Sequence, residues 1–470
     1  MKGNKLLDLY QSLTNLERKH FSAFVRSTFF NRKEELILLH DLLREHVVSG
    51  VKEWDKQAIH ATMFGSISYD DQAFRLLSSE LLDLLNRFLT YQAFTSSEDL
   101  PGIFLLRELG RRNLDKHFQY TLRKTQKIQQ RNRAKDPDHY LKRYLLEEEV
   151  GRYQRRNPRS RETNLQATID QLDVFYLVEK LKTACSILNN QNVVDLEHNV
   201  LFLDSILTYL EHSTEEQEPL VSIYYRAFCM LNEPDEHRHF QQLRDLLAQF
   251  AESIPSQEAS DAYTFAQNYC IRQINRGKQE FMGELFRIYQ DLLIQELIFD
   301  QGLLSPWHYK NIVVLGLRLE AFAWVEGFIS DYRERIPAEF RENAYTYNLA
   351  KLRFHQKDYS AVKKLLLQVE YEDLFYNLDS KVMLLKIYFE QREYEALESL
   401  TSAFITYLDR NKLVSEDHRI RYRNLVRYVR KLYQADEEKG KLKALLEEVK
   451  GGDKVADIGW LKEVITRNLD

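Results

Sequence analysis

The hydrophobic positions of this chain recur at helical spacing from its first residues to its last. Near the N-terminus, Thr14-Asn15-Leu16-Glu17 has the form of a capping box, so a helix is expected to start there. Phe21, Phe24, Val25 and the pair Phe29-Phe30 give that helix one apolar face, and Asn31 suits a break. Helices follow from about Lys33 to Val48 and from about Asp55 to Phe64. Between Tyr69 and Tyr91, Phe74, Leu77, Leu81, Leu84 and Phe88 form a stripe that Leu76, Leu82 and Leu89 widen, and so broad a stripe needs partners on two sides. The polar run from Thr95 to Pro101 reads as a linker, which closes a small helical domain over residues 1–94.

Beyond Pro101 the pattern is one of paired helices. Leu349, Ala350, Phe354, Asp358, Tyr359 and Val362 recur 35 residues later as Leu384, Leu385, Phe389, Glu393, Tyr394 and Leu397. Phe322-Ala323-Trp324-Val325 shows the pattern of Tyr359-Ser360-Ala361-Val362 37 residues earlier, and weaker echoes centre on Phe281 and Phe240. Two short antiparallel helices cannot cover their apolar faces alone, so each pair must stack on its neighbours. Ala350, Ala396 and Val362 let helices approach, and Tyr359 and Tyr394 are expected to wedge the second helix of a pair against the first. Residues 102–300 form an irregular helical-repeat region and 301–470 the regular repeats. These end in a helix with Leu442, Leu445, Leu446 and Val449 on one face, stopped by Gly451-Gly452, and a capping helix around Trp460, Leu461, Val464 and Ile465.

The segments Asn348–Val369 and Met383–Phe404, with Lys357-Asp358-Tyr359 and Arg392-Glu393-Tyr394 at their turns, resemble tetratricopeptide repeats, and Asn311–Ile329 does so more distantly. Val362 and Leu397 stand where that family prefers Ala, Arg353 stands where it prefers an aromatic, and no Pro closes either repeat. The resemblance implies an all-α solenoid whose first helices line a concave groove. It places Lys310, Asn311 and Arg318, then Tyr347, Asn348, Lys351 and His355, then Met383, Lys386 and Glu390 on that surface. An Asn there can hold an extended peptide backbone, and the lysines favour an acidic segment or a free carboxylate. The family's carboxylate clamp of Lys and Asn is not reproduced. Phe24-Val25, Ser27 and Phe29-Phe30-Asn31, followed by Phe74 and Leu77, resemble a group of bacterial all-helical proteins with repeat-bearing C-terminal halves, a resemblance that implies no activity.

Composition agrees with helices: 15 Gly and 8 Pro in 470 residues is sparse against the usual ~7% and ~5%. No stretch of about 20 apolar residues exists to cross a membrane, and residues 1–13 lack a secretory signal pattern, so the cytoplasm is the expected compartment. Cys185, Cys229 and Cys270 form no CxxC pair and are expected to be buried thiols. Phosphate loops, GxGxxG, GxSxG and HExxH are absent, so no catalytic residue, cofactor or metal is expected. Ser360 and Lys363 match SxxK without its companion motifs, and His237 and His239 after Pro234 read as a solvated turn that only a converging third ligand, such as His198 or Glu236, could make a metal site. His40 and His46 are poorly spaced for chelation and read as surface or partly buried.

Charge is less even. The net charge is −5, yet residues 107–161 hold 17 Lys or Arg against 7 Asp or Glu. That basic stretch, with Arg123, Lys124, Arg152, Arg155, Arg156 and Arg159 as its densest parts, offers phosphate contacts to a nucleic acid or ribosome, or else forms a solvated or internally paired face. Residues 419–431 add six basic residues and no acid, with Tyr422 and Tyr428 at core-packing spacing. The helix from Asp55, the turn at Gly65 and the helix from Tyr69 have a loose helix-turn-helix outline, but Asp70, Asp71 and Asp83 on the exposed side would repel phosphates. The reading is a non-catalytic scaffold or adaptor that binds a peptide or protein in the repeat groove, with a nucleic-acid- or ribosome-associated factor or transcription regulator as the alternative.

Overall fold

A computed structural model describes residues 4–49, 54–65, 67–131, 135–156, 164–191, 199–214, 217–251, 253–367, 374–435, 438–451 and 454–469. The described residues form α-helices and one 3-10 turn, with no strand among them. The first helices are α1 (Lys5–Ser12), α2 (Asn15–Val25), α3 (Glu34–Ser49), α4 (Lys56–Phe64) and α5 (Asp71–Ser96). Next come α6 (Leu100–Arg111), α7 (Asp115–Arg131), α8 (Pro137–Gln154), α9 (Leu165–Gln191), α10 (Leu203–His212), α11 (Pro219–Asn232) and α12 (His237–Gln249). The pairs α13 (Ser256–Asn275) with α14 (Phe281–Ile294), α15 (Pro306–Arg318) with α16 (Phe322–Asp331), and α17 (Ala338–His355) with α18 (Tyr359–Leu366) follow. The chain closes with α19 (Leu374–Glu390), α20 (Tyr394–Arg410), α21 (Glu416–Gln434), α22 (Lys439–Lys450) and α23 (Ile458–Leu469). No described helix is long and apolar enough to cross a membrane. Contacts divide the chain into two compact units, 1–228 with 242–255 and 229–241 with 256–470, so the stretch 102–300 is shared between them.

In the first unit the expected capping box is present: Thr14 N–H donates to the Glu17 carboxylate at 2.7 Å and Glu17 N–H to the Thr14 hydroxyl at 3.3 Å. The break at Asn31 is built by its own side chain, whose amide donates to the Val25 and Lys33 carbonyls at 2.9 and 3.0 Å while its oxygen accepts from Lys33 N–H. The broad stripe of α5 is covered by α1, α2 and α3, which bury Phe74, Leu81, Leu85 and Phe88 with Tyr10, Phe21, Leu39 and Leu43. His40 belongs to this core: it is fully buried, edge-on to Tyr10 and Phe21, and desolvation holds its imidazole below the ordinary value. The run expected as a linker is a tight joint of three residues between α5 and α6. Asp99 there is buried and accepts from Gln129 at 3.2 Å, because its polarity satisfies neighbouring groups and is not spent on water.

The second unit is a solenoid-like succession of helix pairs. Val325, Val362 and Leu397, the equivalent positions of three pairs, are each fully buried, and so are Ala350 and Leu385. Four pairs turn the same way. Gly277, Glu320, Lys357 and Arg392 take φ of 91°, 57°, 62° and 56°, the left-handed conformation that ends a helix. At each, that residue's amide bonds the carbonyl three back and the next amide bonds the carbonyl five back, as in Asp358 to Arg353 at 3.0 Å and Glu393 to Tyr388 at 2.8 Å. Glycine is needed elsewhere too: a Cβ on Gly316 would fall 2.5 Å from Val325, so its absence lets α15 and α16 close up. Tyr359 packs half-buried on Phe354 of α17, as a wedge should. Tyr394 does not. It is 41% exposed and stacks on Tyr433 of α21, because Phe389 and Trp460 of α23 already close the interior beside it.

A β-carbon strains the left-handed turn residue. Lys357→Gly and Arg392→Gly should therefore each stabilise the chain by about 0.5–1 kcal/mol, and Gly277→Ala should destabilise it by about 1 kcal/mol. Urea midpoints measure both signs, and a loss of stability in Lys357→Gly would contradict the strain.

Candidate functional site

The residues expected to line a groove come from α15, α17 and α19, which lie side by side in the second unit. Their cations meet around aromatic rings. Tyr347 and Tyr376 stack at 4.3 Å and 18°, and the Lys310 ammonium sits over both rings, 5.3 and 5.0 Å from their centroids. Asp379 is the shared acid: it accepts the Tyr347 hydroxyl at 2.8 Å and lies 3.1 Å from Lys310 and 3.8 Å from Lys351. Lys386 pairs with Asp457 and lies over the rings of Phe354 and Trp460 at 5.8 and 5.2 Å. Arg318 and His355 stand at the open C-terminal ends of α15 and α17.

Electrostatics in this row are unbalanced toward positive charge. Desolvation lowers the pKa of Lys351, and repulsion from Lys310, Arg318 and Lys386 adds to it against the pull of Asp379. His355 is held below its ordinary value by desolvation and then by Lys351 and Lys386. Burial would raise Asp379, but Lys351, Lys310 and the Tyr347 hydroxyl outweigh it and hold the carboxyl below its usual range. Burial, then Asp379, pushes the Tyr347 phenol upward. The arrangement can take up a negative group.

Not every expected groove residue faces outward. Asn348 is fully buried and its amide donates to Ala344 at 2.8 Å, so it is held inside α17 and cannot pair with a peptide in this arrangement. Its equivalent, Asn311, is exposed beside the Tyr289 hydroxyl. Tyr347 and Met383 are buried, and Glu390 is claimed by Arg467 at 2.8 Å. Sequence reasoning missed Asp379, Tyr376, Asp457 and Trp460. Asp379 had one signal: with Glu390 it is one of two acids on α19, and it lies on the side of the preceding lysines.

The basic stretch is divided. Arg107 and Arg152 lie 2.7 and 3.2 Å from buried Glu149, Arg152 and Arg155 lie 2.8 and 3.8 Å from Glu148, and Lys142 is paired with Asp138 at 2.6 Å. Tyr153 stacks on Phe118 at 3.9 Å and donates to Asp115, so its ring is spent internally. Arg156 is exposed over Gly110, Arg123 and Lys124 are exposed on α7, and Arg159 and His198 lie outside the described residues. In 419–431, Arg419, Arg421, Arg423, Arg427 and Lys431 all have acid partners, and Tyr428 is buried.

The turn after Pro234 is less solvated than expected. Tyr269 and Gln273 both donate to the Pro234 carbonyl, His237 lies 2.9 Å from the Tyr269 hydroxyl, and His239 is buried. No group of three or more His, Cys, Asp or Glu among the described residues is placed to hold a metal ion. Lys363 is tied to Gln391 and Glu393, each at 2.8 Å. All three cysteines are buried free thiols. No protein-family model, curated protein or solved structure matches the chain.

Removing the shared acid leaves two lysines unpaired. Asp379→Asn should cost about 2–3 kcal/mol, at or below the range for a fully buried pair because these side chains keep some solvent. Adding Lys351→Met should recover part of that loss. Urea unfolding of the single and double variants decides it, and strictly additive losses would refute the shared role.

Proposed function

We propose that the chain is a non-catalytic scaffold or adaptor of tetratricopeptide-like helix pairs, and that it holds an acidic peptide or protein segment along α15, α17 and α19. The observation that carries this reading is the crowding of Lys310, Arg318, His355 and Lys386 around Lys351, with Asp379 and Asp457 the acids paired there. Such a site repels its own charges until an anion arrives, and the rings of Phe354 and Trp460 beside Lys386 give an apolar wall for the rest of the ligand. Asn348 is given no part, since its amide is already bonded. Three buried free thiols suit a reducing compartment, which supports the cytoplasm.

The test is anisotropy titration of a labelled Glu-rich peptide against its Gln counterpart. The acidic peptide should bind more tightly, and Lys351→Ala with Lys386→Ala should weaken it tenfold or more, on the order of one lost charge-assisted bond. A bound anion favours protonated Lys351. Affinity should fall as pH rises through the lowered Lys351 value, and Lys351→Met should flatten that profile. Equal binding of the Gln peptide, or no effect of the double variant, would end this reading.

A further inference from the structure

Among the described cations of residues 107–161, Arg143 and Arg156 make no ion pair. Arg107, Arg111, Arg112, Lys135, Lys142, Arg152 and Arg155, on α6 and α8 or just outside their ends, have carboxylate partners. Those of α7 do not: among the described residues, Lys116, Arg123, Lys124, Lys127 and Arg131 make no ion pair, and Arg123 has only a 3.3 Å bond to the Gln119 carbonyl of its own helix. All five are exposed. The single acid of α7, Asp115, accepts from Tyr153.

Helical geometry gathers these side chains. At 3.6 residues per turn, positions 116, 120, 123, 124, 127 and 131 fall within an arc of about 100° and extend over about 22 Å. The opposite side carries Phe118, Thr121, Thr125 and Gln129, which are buried in the first unit. Within the exposed arc stands Tyr120, 70% exposed and without a ring or hydrogen-bond partner among the described residues. Lys116 and Lys124 lie one turn away on either side of it. Like charges spaced four apart, Arg123 with Lys127 and Lys127 with Arg131, work against the helix unless something neutralises them.

We propose that this face of α7 docks single-stranded nucleic acid, its phosphates on Lys116, Arg123, Lys124, Lys127 and Arg131 and one base stacked on Tyr120. The combination of a cationic track with an exposed ring is what a single strand requires. A duplex keeps its bases stacked on each other and leaves Tyr120 unused, and a run of Asp and Glu has no aromatic ring to stack on it. This face lies in the first unit and is independent of the row at Lys351.

The experiment is anisotropy titration of the full chain with labelled oligo-uridine and oligo-thymidine, a mixed-sequence duplex and poly-glutamate, over a range of salt. Single strands should bind most tightly, with log affinity falling against log salt at a slope of about −3 to −3.5 for five phosphate contacts. Lys124→Glu with Lys127→Glu should cut affinity tenfold or more and flatten the slope. Tyr120→Ala should weaken binding by about fivefold to a hundredfold while leaving the slope unchanged, and Tyr120→Phe should restore it. Circular dichroism checks that each surface variant keeps its helices. Absence of single-strand binding at low salt would overturn the proposal. So would duplex binding as tight as the single strand, equally tight poly-glutamate binding that Lys124→Glu with Lys127→Glu abolishes, or indifference to Tyr120→Ala.

Discussion

Each helix pair of the second unit has more apolar surface than its own two helices can hide, and the next pair must supply the cover. The repeated position at Val325, Val362 and Leu397 is fully buried in these three pairs, and Val362 shares its core with Tyr376, Met383 and Ile387 of the following first helix, α19. A fully buried side chain of this kind contributes about 1.5–3 kcal/mol. The same constraint forces first helices to lie beside first helices, so α17 is flanked by α15 and α19 and any residue repeated on that side becomes a row. The turns serve this end: a left-handed residue followed by the amide that reaches five residues back ends the first helix in the same way in four pairs.

Rows of like residues have an electrostatic consequence. Lys310, Lys351 and Lys386 come from successive first helices, and stacking brings them close enough for one another's charge to be felt at Lys351. A protein that needed only stability would have placed an acid opposite each. Here Asp379 is divided between two lysines and the Tyr347 hydroxyl, and the Tyr347-Tyr376 stack takes part of the load through its ring faces. The incomplete neutralisation is a property of the stack and of no single helix.

Helices, their order and most of their starts were legible from spacing and capping, since those signals are local: the Thr14 box and the α5 stripe stand where the pattern puts them. The turns at Lys357-Asp358-Tyr359 and Arg392-Glu393-Tyr394 were legible from the repeat itself, although Glu320, Lys357 and Arg392 occupy positions where glycine is the usual marker. The row at Lys351 was half legible. Repeat register put Lys310, Lys351 and Lys386 on one side of successive first helices, and the structure brings them near one another, but register put Asn348 on the same surface, where the structure turns it inward to Ala344. Asp379 gave only its place on α19 as a signal, and Asp457 and Trp460 gave none as site residues, because each contributes through a partner far away in sequence, and periodicity carries no information about such pairs. The same limit applies to Asp99, which looked like linker material and is a buried acceptor for Gln129.

Charge counting along a chain cannot separate cations that hold the fold from cations that are free to hold something else. In residues 107–161, Glu149 is buried and needs Arg107 and Arg152, so those two arginines are part of the core's own accounting and stay where they are. Arg155 and Arg152 likewise answer to Glu148. Subtracting every cation with such a duty leaves a set concentrated on α7, and it shares one face with Tyr120. An unpaired lysine on a surface is ordinary. Five cations on one helix, facing the same way, with no ion pair among the described residues and an unpacked ring among them, form a surface that water alone does not explain.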